Sequence, residues 1–270
     1  MRRPSPTLVR WLIFAAVLAL WEILPRAGLI AELFLPPLSK TLIVLFQDRA
    51  QYAMAMLVTL YEVGLAMLIA CGGGILIGAL VGGLALLRKL LLPVFSSLYA
   101  VPIVILYPIF TAWFGIGSES KIIFAGVYGF FPVMLSTAAG IRTIEEQLLV
   151  AARSMGATVP QQITRVIIPA AIPTVLTGLR LGGALTIIGV VVSEMLTSAA
   201  GIGYLVTSYR TVLDSPHVFA AVLMILAFSI LFDALARFAE RRTIVWQTAG
   251  RRERAGSRQD ARIVSAAAPA

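Results

Sequence analysis

The 270-residue chain has one cysteine and one histidine, and only 13% of it is Asp, Glu, Lys or Arg. One cysteine excludes a disulfide within the chain and any site built from two thiolates. One histidine excludes a multi-histidine metal centre. The scarcity of charge excludes a disordered chain, which pairs low hydrophobicity with high net charge. No G-x-x-x-x-G-K-[ST] run is present, so the chain lacks the loop that cradles nucleotide phosphates. With one His, one Cys and no evident pair of buried carboxylates, acid–base or nucleophilic work has few candidate groups. We therefore expect no catalytic residue, no metal and no cofactor.

What the chain has in abundance is apolar side chains, at 59%. A soluble domain of ordinary composition carries about 25% charged residues. The balance here points to an all-α polytopic membrane protein. The formal charge of +9 sits mainly at the ends. Arg2, Arg3 and Arg10 lie at one end. Arg237, Arg241, Arg242, Arg251, Arg252, Arg254, Arg258 and Arg262 lie at the other. Such ends suit the cytoplasmic face and its anionic lipids. No stacking aromatic follows Trp246, so a nucleic-acid partner is not expected.

A spanning helix needs about 20 mostly apolar residues. Six runs qualify, at about residues 8–24, 56–87, 92–114, 122–141, 172–196 and 218–236. The first resembles a signal peptide in length but has no small-x-small site before Pro25, so it reads as an uncleaved span. Arg88-Lys89 closes the second, and Pro102 and Pro108 break the third. With the N-terminus in the cytoplasm, 16 Lys and Arg fall inside, 5 outside and Arg180 within a span. That bias supports six spans with both termini cytoplasmic. Residues 1–246 form the membrane domain, and 247–270, without apolar period, form a disordered basic tail.

A charge at the centre of a span costs about 2.5–3.5 kcal/mol, against about 0.3–0.6 gained per Leu or Ile. Glu22, Arg180 and Asp233 lie near span ends and reach an interface. Glu62 is expected to be solvated. Glu194, beside Ser193, is a candidate outer-gate element or a polar tie to a neighbouring helix. Pro102, Pro108 and Pro132 free backbone carbonyls, which membranes tolerate only beside protein or a cavity. With Tyr107, Arg180, Ser193 and Glu194 they are candidates for the pathway. Gly74, Gly78 and Gly82 form a stripe that lets another helix approach, and Gly178 and Gly182 repeat it.

The cytoplasmic segment 142–170 is the most informative. Thr143-Ile-Glu-Glu146 has the form of a capping box and starts a helix at Ile144. Leu148, Ala152 and Met155 make one stripe, and Gly156 ends the helix in a left-handed cap. Thr158-Val-Pro-Gln161 starts a second short helix, which Pro169 stops.

The run Leu149-Val-Ala-Ala-Arg-Ser-Met-Gly-Ala157, followed by Ile167-Ile-Pro-Ala-Ala-Ile-Pro173, resembles the EAA loop of ABC importer permeases. Ala151, Ala152 and Gly156 match its pattern, and Val150 stands where that pattern has glutamate. Trp113-Phe-Gly-Ile-Gly117, Gly178-Leu-Arg-Leu-Gly182, Val192-Ser-Glu-Met195 and Gly201-Ile-Gly-Tyr-Leu205 are similar to the branch serving nitrate, sulfonate and taurine. The resemblance implies the type I ABC importer permease fold in a bacterial inner membrane. It implies a second copy of the chain, two ATP-binding cassette subunits that carry the ATP, and a periplasmic substrate-binding protein. It places the coupling residues at Glu145, Glu146, Ala151, Ala152, Arg153, Gly156, Ala157 and Pro169. The cargo would be a small organic or inorganic anion. The alternative from the residues alone is a stand-alone secondary carrier or channel.

Overall fold

The computed structural model describes the backbone of residues 5–266 and the side chains of Ser5 and residues 7–242. Among the described residues there are helices and no strands. In chain order they are α1 Pro6–Arg26, α2 Leu38–Gln47, α3 Arg49–Gly83, α4 Ala85–Tyr99, α5 Tyr107–Phe114, α6 Ser118–Arg142, α7 Glu146–Ser154, α8 Val159–Gln162, α9 Ile168–Thr197, α10 Ile202–Thr211 and α11 Ser215–Ala266. Among the described residues five helical stretches are long and apolar enough to cross a membrane, and six if the broken pair α4 and Ile103–Phe114 counts as one.

The third run is broken at its prolines, as expected: α4 ends at Tyr99, a 3-10 turn covers Ile103–Leu106, and α5 follows. Pro102 has no N–H and disfavours helix at the residue before it. Pro108 sits in the first turn of α5, where a missing N–H costs nothing. Two other features depart from the sequence reading. Arg88 and Lys89 belong to the start of α4 and do not close α3. The stretch from 247, expected to be disordered, is helical in its backbone as far as Ala266, while 267–270 lie outside the described residues. An apolar period reports a buried face; Arg, Ala, Glu and Gln favour helix without one.

The chain forms two compact units. The first comprises Met1–Ala70, Pro102–Gly129 and Leu185–Ile230. Its core gathers Tyr52, Ala55, Ile202, Leu205, Val206, Ala220 and Ala221. Glu22 accepts hydrogen bonds from the Ser39 amide (2.9 Å) and hydroxyl (2.7 Å) and pairs with Arg26 at 2.7 Å. This carboxylate satisfies an amide of the first turn of α2, which its Pro37 cap cannot do. His217 lies between Asp48 (Nε2 to Oδ2, 3.0 Å) and Asp214 (Nδ1 to Oδ2, 2.8 Å), stacked on Tyr209. It ties the start of α11 to the α2–α3 junction.

The second unit comprises Cys71–Val101, Phe130–Ala184 and Leu231–Ala270. Here the glycine stripe of α3 faces α6. A Cβ on Gly74 would lie 2.7 Å from Val133, one on Gly78 2.6 Å from the Met134 carbonyl, and one on Gly82 2.9 Å from Ala138. Gly178 of α9 meets Ser136 and Pro132 of α6 in the same way. The α3 stripe and Gly178 therefore serve packing within this chain. Gly78→Val should cost about 1–3 kcal/mol, because the colliding atoms include rigid backbone. The expected result is a lowered melting temperature in detergent with the chain still inserted, and an unchanged melting temperature would show that α3 and α6 can move apart freely.

Candidate functional site

Segment 142–170 lies wholly in the second unit. Helix α7 begins two residues later than the capping-box reading. Its cap is Glu145, and the Thr143 hydroxyl instead donates to the Gly140 carbonyl at 3.2 Å. The reason is upstream: α6 continues to Arg142, and Thr143 closes its last turn. The second box is present, with the Thr158 amide donating to Gln161 Oε1 at 2.8 Å.

Between the two helices, Gly156 adopts φ +76°. Its amide donates to the Arg153 carbonyl (2.9 Å), and the Ala157 amide donates to the Ala152 carbonyl (3.0 Å). This pair of bonds is the Schellman closure, and it requires a left-handed residue that only glycine adopts without penalty. The Gln162 side chain donates to the Ala157 carbonyl (2.9 Å) and receives Arg153 Nε at 3.5 Å, which fixes the elbow.

Ala152 is buried and Leu149 half-buried, so they form the inward face of α7. Met155 is 81% exposed, so the expected Leu148–Ala152–Met155 stripe is not the packed one. Glu145, Glu146, Ala151, Arg153 and Gly156 are exposed, and Ala157 is half-buried. Pro169 does not stop α8. A π-helical turn, Ile163–Ile167, leads straight into α9. In a regular helix the Pro169 ring would collide with the carbonyl four residues earlier, and the wider turn relieves that.

The other site lies in the first unit. Glu62 of α3 is fully buried and pairs through Oε1 with Lys121 of α6, whose side chain is 4% exposed. Ser118 donates to the same oxygen at 2.7 Å, and Lys121 also donates to Ser198 Oγ at 3.1 Å. Lys121 was not singled out from sequence, and the solvated Glu62 expected there is overturned. An ammonium brought from another helix makes its burial tolerable.

Glu194 of α9 is within electrostatic range of both groups. It accepts from the Thr59 hydroxyl (2.7 Å) and from the Gly203 amide (2.7 Å), while Thr59 accepts from the Ile202 amide (2.9 Å). A carboxylate and a hydroxyl thus satisfy the first amides of α10. The geometry also explains the Gly201-Ile-Gly203 run. A Cβ at either glycine would run into the Glu194 side chain, and Gly201 has φ +104°. Glu194 is therefore a polar tie among α3, α9 and α10.

The remaining pathway candidates are dispersed. Tyr107 is buried against Phe124 and accepts from Thr197 at 2.9 Å. Ser193 is buried and donates to the Val190 carbonyl, while Pro102 and Pro108 are exposed and Pro132 is buried inside α6. Arg180 does not reach an interface alone. It pairs with Asp233 (2.6 Å) and Glu240 (3.7 Å), and Arg237 meets the other Asp233 oxygen at 2.5 Å. Its charge is met by two carboxylates of α11. Among the described residues no group of three or more His, Cys, Asp or Glu is placed to hold a metal ion.

Residues 74–245 match the family described as binding-protein-dependent transport system inner membrane component. The chain is 30% identical over 236 residues to the putative aliphatic sulfonates transport permease protein SsuC of Bacillus subtilis, covering 86% of this chain and 85% of that one. It is 31% identical over 240 residues to the taurine transport system permease protein TauC of Escherichia coli, covering 86% and 87%. It is 28% identical to the formylaminopyrimidine transport permease protein ThiX of Halalkalibacterium halodurans, covering 92% and 99%. Among solved structures, an inward-facing conformation of the MetNI methionine ABC transporter aligns with a TM-score of 0.58 at 17% identity, over 68% of this chain and 94% of that one. That likeness bears on the fold.

Proposed function

The chain belongs to the family of binding-protein-dependent transport system inner membrane components, and from that premise we propose that two copies of it form the pathway of an ATP-driven importer for a small anion such as a sulfonate, taurine or nitrate. It is a transport permease and not an enzyme. ATP belongs to partner subunits, of which two would dock on the two copies of segment 142–170. A periplasmic binding protein would deliver the cargo. The membrane would be the bacterial inner membrane, with both termini in the cytoplasm.

The observation that carries the coupling assignment is the elbow at Gly156. Two short helices are held at a fixed angle by a Schellman closure and by Gln162, and they present an exposed surface. The second helix runs through the π-turn into α9 without a break. A push on the elbow therefore acts directly on a membrane helix, with no flexible joint to absorb it. Sulfonate and taurine permeases among the relatives support an anionic cargo.

A stand-alone carrier would make use of buried ionisable groups, and the Glu62–Lys121–Glu194 trio is such a set. Its partners argue for another task. Glu194 caps α10, and Glu62 is held by Lys121 and Ser118. These fixed bonds serve architecture, whereas ion coupling needs groups free to exchange their partners.

The direct test is to extract the tagged chain in mild detergent and identify what accompanies it. The expected result is one ATPase subunit per copy, with uptake into proteoliposomes that needs both ATP and a binding protein. A chain that purifies alone and transports without ATP would overturn the proposal.

A further inference from the structure

Where α2 turns into α3, the first unit has a groove of about 290 Å³. Leu45 and Phe46 of α2, Tyr52 and Ala53 of α3 and Met224 of α11 line it, together with Arg49, the first residue of α3. The lining is dry, because the Tyr52 hydroxyl is engaged elsewhere, donating to the His217 carbonyl at 3.0 Å. Arg49 is exposed, and its Nη1 donates to the Phe46 carbonyl at 3.3 Å. Among the described residues no carboxylate pairs with it. Asp48, its neighbour in the chain, meets His217 instead at 3.0 Å.

The groove runs through the depth of one leaflet. Helices α3 and α11 begin at one level, since His217 meets both Asp48 and Tyr52. At about 1.5 Å per residue, Ala53 lies about 6 Å along α3 and Met224 about 14 Å along α11. The hydrocarbon of one leaflet is about 15 Å deep, half of about 30 Å. Arg49 stands at the shallow end. Trp21 marks the same level: its indole packs on Phe219 and donates to the Pro36 carbonyl at 3.0 Å. Amphipathic rings of this kind sit at the headgroups.

We propose that this groove binds a phospholipid, with one acyl chain along Tyr52, Ala53 and Met224 and the phosphate on Arg49. The proposal rests on α3 and α11 spanning a membrane and on nothing about cargo or coupling. The complementarity is of charge as well as of polarity: an unpaired cation at the interface ends an apolar slot that lies in hydrocarbon. A soluble partner does not reach a flank at the depth of acyl chains. A second copy of the chain would have to bring an anion to Arg49 and an apolar side chain to the slot, whereas a phospholipid carries both in one molecule. Basic pockets between spanning helices hold headgroups by the same contact. The bound lipid would join α2 to α3 and α11.

The test uses the full chain extracted from membranes in mild detergent, and native mass spectrometry reads the phospholipid that stays bound. Arg49→Ala and Ala53→Phe should each lower the retained fraction about fivefold or more. Arg49→Lys keeps the charge, and Met54→Phe adds bulk beside the groove, so both should retain the lipid. Melting curves in detergent show that each variant is folded, since all three positions are exposed. Dioleoyl phosphatidylglycerol or phosphatidylethanolamine added to the delipidated chain should raise its melting temperature. Dioleoylglycerol, with the same acyl chains and no phosphate, should not.

Unchanged retention in Ala53→Phe would overturn the groove as the place of the acyl chain. Unchanged retention in Arg49→Ala, or equal stabilisation by dioleoylglycerol, would overturn the phosphate contact. Phe46→Cys in a Cys71→Ser background tests the other occupant. A disulfide between two copies at position 46 would show that the second copy covers the groove, and would overturn the proposal.

Discussion

Replacing Lys121 with methionine should cost the first unit about 3–5 kcal/mol, the scale for breaking a buried pair by removing one partner. Methionine keeps most of the volume and removes the charge. Glu62 would then sit fully buried with only the Ser118 hydroxyl, and Ser198 would lose one of its two donors. The nearby Glu194 would lose the only cation in electrostatic range of it among the described residues. The expected outcome is a chain recovered in low yield and melting well below the parent in detergent. Lys121→Met combined with Glu62→Gln should recover much of the loss, because a neutral amide can still accept from Ser118. The interaction energy from this double-mutant cycle separates the ion pair from the change in shape. A single Lys121→Met variant that melts with the parent would show that the trio does not hold α3, α6 and α9 together.

That cluster also marks where sequence reading stops. Long apolar runs are visible because a bilayer imposes length and composition on each span independently. Each of the six expected runs overlaps a long apolar helix or, for the third, the broken pair α4 and Ile103–Phe114. Gly156 was legible for a similar reason, since a helix end that turns left-handed favours one residue type. The meeting of Glu62, Lys121 and Glu194 has no such local signature. Thr59 and Glu194 are 135 positions apart, and only packing brings them within 2.7 Å. Glycines 201 and 203 carried a hint, but their small size answers to the Glu194 side chain and, at Gly203, to the Val191 carbonyl, contacts that are invisible without the fold.

Two local rules failed because longer elements overrode them. Thr143-Ile-Glu-Glu146 has the composition of a capping box, yet Thr143 was already committed to the last turn of α6. Pro169 should end a helix, yet a π-turn makes room for it and α9 runs on. In both cases a spanning helix extends past the boundary that a short motif announces. The extension matters for function, because it leaves the elbow joined to α9 by continuous helix.

Gly156→Trp should therefore abolish ATP-driven uptake while leaving the permease itself nearly as stable as before. A non-glycine residue in the left-handed region costs roughly 1–2 kcal/mol. Among the described residues no atom lies within 4 Å of the place a Cβ would take, so the backbone conformation is the cost visible at that atom. Met155 and Val159, neighbours of Gly156 in the chain, are exposed, so the position lies in an exposed stretch of surface. A loss of uptake then has to come from whatever covers that surface in the working transporter. Gly156→Asn is the matching control. Asparagine tolerates the left-handed conformation better than tryptophan and adds far less bulk, so it should keep most of the uptake. The pair distinguishes strain from obstruction: strain penalises both variants, and obstruction penalises tryptophan alone. Uptake unchanged in Gly156→Trp would mean that the elbow is only a stiff connector between spans, and the drive from ATP would have to enter the permease elsewhere.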